Sequence, residues 1–100
     1  MTGLVKYCLE ILADKAPVGQ VLQFDIDGTD MQGYMKLEKD YNRAGGLYLK
    51  IVVAAKGSDR LTGFYFHDAD NLEEMKEYLK NEKTVDAVWE GYKELCKKAE

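Results

Sequence analysis

Apolar residues at helical spacing near both ends, four β-type segments between them, and connections too short for parallel crossovers predict an α+β fold. The expected order is α-β-β-β-β-α-α. The four strands form an antiparallel meander, the helices lie mainly on one face of the sheet, and residues 1–100 form a single domain. One hundred residues with 46% hydrophobic and 32% charged side chains suit one globular core.

Leu4, Val5, Cys8, Leu9, Ile11 and Leu12 recur at helical steps from about Gly3 to Asp14, and Ala16-Pro17 stops this helix. It has few polar positions, so it is expected to be largely buried. The β segments are Gln20–Asp27, Met31–Glu38, Leu47–Ala55 and Leu61–His67, each rich in β-branched or aromatic residues. Turn chemistry separates them: Asp27-Gly28-Thr29-Asp30, Asn42-Arg43-Ala44-Gly45-Gly46 and Gly57-Ser58-Asp59. Asp70, three residues before Glu73, reads as the N-cap of a helix carrying Leu72, Met75 and Leu79. After a break at Asn81-Glu82-Lys83, Thr84 can cap a last helix with Val85, Val88, Trp89, Tyr92, Leu95, Cys96 and Ala99 on one stripe. Core packing is the ordinary role of that Trp/Tyr stripe.

Alternation sorts each strand into two faces. Phe24, Met31, Gly33, Met35, Leu37, Leu49, Ile51, Val53, Phe64 and Phe66 mark the buried face. With Gly28-Thr29 and Ser58-Asp59 as turn centres and Leu37 opposite Leu47, one buried row reads Phe24, Gly33, Ile51, Phe66. In that row Gly33 leaves room for the phenyl rings. The other face gathers Gln23, Gln32, Tyr34, Lys36, Tyr48, Lys50, Tyr65 and His67, together with Val21, Val52 and Leu61. Its expected row is Gln23, Tyr34, Lys50, His67, with Lys36 facing Tyr48 and Val52 facing Tyr65. Three helices on the apolar face would leave this Tyr/Lys face open.

Composition narrows the functional classes. The longest uncharged apolar run, Ile51 to Ala55, is too short to span a bilayer, and the N-terminus has no signal-peptide pattern, so a cytoplasmic protein is expected. Cys8 and Cys96 are isolated and read as buried thiols of a reducing compartment, although spacing alone does not settle whether they pair. Residues 1–67 carry eight Lys/Arg and eight Asp/Glu, whereas 68–100 carry six and ten, so the net charge of −4 lies entirely in the C-terminal third. Such a chain lacks the global positive field of many nucleic-acid binders.

An apolar strand ending in Asp25-Ile26-Asp27-Gly28-Thr29 resembles the nucleophile motif of haloacid-dehalogenase-type phosphatases. The resemblance implies a doubly wound parallel sheet, Asp25 attacking phosphorus, Asp27 handling the leaving-group proton, and Mg²⁺. It covers about six residues. The chain shows no strand-helix-strand alternation, and the residues after Asp30 alternate as another strand, so the segment is better read as a hairpin turn with Gly28 at positive φ. An EF-hand is excluded by spacing: counted from Asp25, glycine falls at the fourth position and lysine at the twelfth. One histidine and two distant cysteines make no zinc set, and no nucleophile-base pair is evident. No catalytic residue, metal or cofactor is assigned.

The function expected is therefore a small non-catalytic protein-interaction module, with a protein partner or a second copy docking on the Tyr-rich face or the acidic C-terminal helices. The main alternative is single-stranded nucleic acid. Tyr34, Tyr48 and Tyr65 would stack bases while Lys36, Lys50 and Arg43 meet phosphate. Mg²⁺-dependent phosphatase chemistry at Asp25 is the third reading.

Overall fold

A computed structural model of the chain describes residues 2–99. Helix α1 (Thr2–Lys15) precedes strands β1 (Leu22–Asp25), β2 (Met31–Lys39), β3 (Leu47–Ala55) and β4 (Leu61–Ala69), and helices α2 (Leu72–Lys80) and α3 (Glu82–Ala99) close the fold. The sheet is antiparallel throughout, in the order β1-β2-β3-β4. This is the α+β meander that the sequence predicts, and it differs from the parallel sheet implied by the phosphatase motif.

The alternating pattern decides which face is covered. Phe24, Met35, Leu37, Leu49, Ile51 and Val53 join Val5, Leu9 and Leu12 of α1, Met75 and Leu79 of α2, and Val88, Tyr92 and Leu95 of α3 in one buried cluster. Burying each large aliphatic side chain contributes roughly 1.5–3 kcal/mol. The intervening residues Tyr34, Lys36, Tyr48, Lys50 and Val52 stay only half-buried, because α1, α2 and α3 pack on the opposite side. Helix α1 is less enclosed than expected: Val5, Cys8, Leu9, Leu12 and Ala13 are buried, but Leu4 and Tyr7 face solvent.

The first hairpin has the expected register, with Gln23 opposite Tyr34 and Phe24 opposite Gly33. Gly28 sits at φ 77°, and Thr29 ties the turn by donating to the Ile26 carbonyl at 2.8 Å while accepting from the Met31 amide at 3.0 Å. The Phe24 ring lies over Gly33, where a Cβ would come within 2.7 Å of it.

Further along the sheet the pairing shifts. Tyr34 faces Val52 and Lys36 faces Lys50, two residues from the expected partners Lys50 and Tyr48. Strand β2 runs on to Lys39, and the loop closes tightly, with the Asp40 amide donating to the Gly46 carbonyl and Gly45 at φ 77°. In the last hairpin Ala54 faces Leu61, which centres the connection on Gly57-Ser58 rather than Ser58-Asp59, and within it the Ser58 amide donates to the Ala55 carbonyl with Gly57 at φ 78°. Val52 therefore faces Gly63, and Tyr65 faces Lys50. The buried row becomes Phe24, Gly33, Val53, Thr62 in place of the expected Phe24, Gly33, Ile51, Phe66.

A β-bulge then interrupts β4. Leu49 pairs with His67 while Lys50 pairs with Tyr65, leaving Phe66 without an opposite residue. The extra residue turns His67 to the helix side.

The helix boundaries also depart from the expected caps. Asn71, not Asp70, caps α2, its side chain accepting from the Glu74 amide at 2.9 Å. Asp70 is held by Arg43 instead. The break before α3 is Asn81 alone; Thr84 lies inside the first turn, buried, and donates its hydroxyl to the Tyr78 carbonyl at 2.6 Å. No disulfide joins Cys8 and Cys96, and both are buried.

Candidate interaction surface

The surface is built by the outward-facing residues of all four strands. Gln23, Gln32, Tyr34, Lys36, Tyr48, Lys50 and Tyr65 share it, as the alternation predicts. His67 does not. Its ring stacks on Tyr78 of α2, with centroids 3.7 Å apart and planes within 9°. Sequence periodicity misplaced it because alternation carries no sign of a bulge.

At the centre, Lys36 and Lys50 are Cα partners, and Glu38 lies 3.5 Å and 3.7 Å from their ammonium groups. Glu38 is a member of this face that the sequence reading missed, although its even position in β2 was signal enough. One carboxylate shared by two ammonium groups leaves the centre with a positive excess. Lys50 also lies over the Tyr65 ring at 5.3 Å from the centroid, and the Tyr48 and Tyr65 rings pair at 4.5 Å. Loss of solvent, together with the Asp40 carboxylate, pushes the Tyr48 phenol above its ordinary pKa.

A polar border runs along one side. Tyr34 donates to Gln32, Gln32 donates to Asp25 at 3.2 Å, and Lys56 approaches Asp25 at 3.8 Å. Apolar side chains stand at both edges of the sheet, Val21 beside β1 and Leu61 and Tyr65 on β4. Val21, Leu61 and Tyr65 are 49%, 63% and 51% exposed, and a shallow groove of about 430 Å³ runs between Val21, Tyr34, Val52 and Leu61. Gly63 opposite Val52 keeps the floor low, because a Cβ there would stand 2.9 Å from the valine methyl.

Arg43 belongs to a different structure from the one its phosphate role requires. It reaches Asp70 at 2.7 Å, Asp68 at 2.9 Å and Asp40 at 3.4 Å, and donates to the Ala69 carbonyl at 3.3 Å. The guanidinium pins the β2–β3 loop to the end of β4. The surrounding carboxylates raise its pKa over the opposing effect of desolvation.

The phosphatase-like segment forms the first hairpin turn. Asp25 is at the end of β1 in contact with Gln32 and Lys56, whereas Asp27 is within the turn. Among the described residues, no group of three or more His, Cys, Asp or Glu side chains is placed to hold a metal ion, and no helix is long and apolar enough to cross a membrane.

Comparison with known proteins leaves the surface to be read on its own chemistry: no protein-family model, curated protein or solved structure matches the chain.

Proposed function

We propose that this domain is a non-catalytic protein-interaction module whose open sheet face docks a segment of another protein. The observation that carries this reading is the Val52-floored groove that crosses the open face between the exposed Val21 and Leu61, with the exposed Tyr65 ring on the neighbouring row. Recognition surfaces combine such an apolar centre with polar neighbours, and tyrosine supplies rigid area with a polar tip. The chemistry favours a partner segment with an apolar side chain for the groove and a carboxylate for the positive excess at Lys36 and Lys50.

The acidic helices fit the role less well. Glu73, Glu74, Glu77 and Glu90 are solvated, and a charged surface without an apolar centre seldom supplies most of a binding energy. Single-stranded nucleic acid is also less favoured, because Glu38 offsets the two lysines and Arg43 is occupied by aspartates.

Affinity capture with the folded protein and with a Tyr34→Ala/Tyr65→Ala double variant tests the reading. Partners that bind the parent and are lost from the variant are expected. If the folded variant retains every partner, the face is not the site. Binding of a labelled single-stranded oligonucleotide that weakens with salt and is lost on Tyr48→Ala would transfer the face to nucleic acid instead.

A further inference from the structure

The two edges of the sheet are built differently. Strand β1 is four residues long and runs into an aspartate-rich turn, which blunts it as a pairing template. Strand β4 is nine residues long and contains no proline or lysine.

The phase of the hydrogen bonds shows which groups this second edge offers. The Ile26 amide donates to Met31, and the Gly19 amide to Leu37, so odd residues of β2 point toward β1. Lys56 donates to Asp30, and Asp40 to Gly46, so even residues of β2 and its extensions point toward β3. Antiparallel residues direct both N–H and C=O to the same side, and the direction alternates. In β3 the odd residues therefore face β4, where Ile51 meets Phe64 and Val53 meets Thr62. The backbones of Leu61, Gly63 and Tyr65 consequently point away from the sheet. Among the described residues, no turn, loop or cap backbone bond engages them.

We propose that β4 pairs antiparallel with β4 of a second copy about a twofold axis at Gly63, merging two four-stranded sheets into one of eight strands. In this register Gly63 faces Gly63, and Leu61 faces Tyr65 of the other copy. Each facing pair exchanges both of its hydrogen bonds, so all the outward groups before the bulge are satisfied. The two most exposed apolar residues of the edge, Leu61 and Tyr65, cover one another. The bulge at Phe66 ends the run and limits it to a closed pair. The association places two Tyr/Lys faces side by side and shares Leu61 and Tyr65 with the docking surface proposed above, so Tyr34→Ala, a change of the face away from the edge, separates the two.

Sedimentation velocity over a concentration series, combined with amide hydrogen exchange, tests the pairing. A monomer–dimer equilibrium is expected, with exchange at Leu61, Gly63 and Tyr65 slowing as dimer forms. Leu61→Pro removes an outward N–H at the first residue of the strand, where β3 does not use it, and weakens dimerisation by about tenfold or more. Tyr65→Lys places charge on the edge and does the same if the proline variant fails to fold. Tyr34→Ala leaves dimerisation intact while weakening partner capture, which separates failure of the edge from failure of the face. A monomer persisting to about 1 mM overturns the proposal. So does a dimer that keeps fast exchange at these amides or survives the edge variants.

Discussion

The Tyr92 hydroxyl donates a 2.7 Å hydrogen bond to the Tyr34 carbonyl, joining α3 to β2 across 58 positions of sequence. Tyr92 is fully buried, with its ring edge-on to Phe24 at 5.1 Å. Helix α3 is thus fixed beneath the Tyr34 position of the open face by a polar anchor as well as by apolar packing.

Tyr92→Phe retains the ring and removes the anchor. The Tyr34 carbonyl still faces β3, so it keeps its sheet partner. The expected loss is about 1 kcal/mol, near the average for a hydrogen bond. Urea unfolding should show a lower midpoint at unchanged slope.

Alkaline pH should destabilise the fold through the same residue. Burial raises the Tyr92 pKa strongly, pushes Tyr78 up to about 12 and raises the Cys8 thiol. Their folded pKa values lie above the unfolded ones, so the unfolded chain releases protons first. Their stabilisation is present below the unfolded values, near 9 for cysteine and 10 for tyrosine, and is lost as pH rises above them. Each such group contributes up to about 1.4 kcal/mol per pH unit in that window. Stability measured from pH 8 to 11 should fall less steeply in Tyr92→Phe.

Gly91→Ala should destabilise the protein despite alanine's better helix propensity, worth roughly 1 kcal/mol. A Cβ at Gly91 would sit 2.8 Å from the Phe64 ring and 3.0 Å from the Ile51 side chain. Overpacking typically costs about 1–3 kcal/mol, which outweighs the gain. Phe64→Leu shortens the obstructing ring, so a double-mutant cycle should show positive coupling. Additive effects would refute close approach at Gly91.

Arg43→Gln should loosen the β2–β3 loop, because Asp40, Asp68 and Asp70 would lose their shared cation. Faster amide exchange is expected at Arg43 and Gly46, whose backbone bonds close that loop. The stability difference from the parent should shrink in high salt, which screens exposed charges. A difference independent of salt would assign the clamp to packing instead.

Much of the surface is legible in the sequence. Side-chain alternation is a local property of an extended chain, so it separated Tyr34, Lys36, Tyr48 and Lys50 from Phe24, Leu37 and Ile51 without knowledge of partners. A register displaced by two residues preserves that separation. For this reason the faces were correct in β2 and β3 although the row through Tyr34 ends at Val52 and Gly63 rather than Lys50 and His67.

What sequence alone determined was the element order, the antiparallel meander and the apolar face that gathers the helices, all consequences of short-range periodicity and turn chemistry. Tertiary structure decided the rest. The bulge that carries His67 to Tyr78, the diversion of Asp70 from helix cap to Arg43, and the approach of Gly91 to Phe64 each depend on residues distant in the chain. Such contacts form only when packing brings their elements together, and local periodicity cannot encode them.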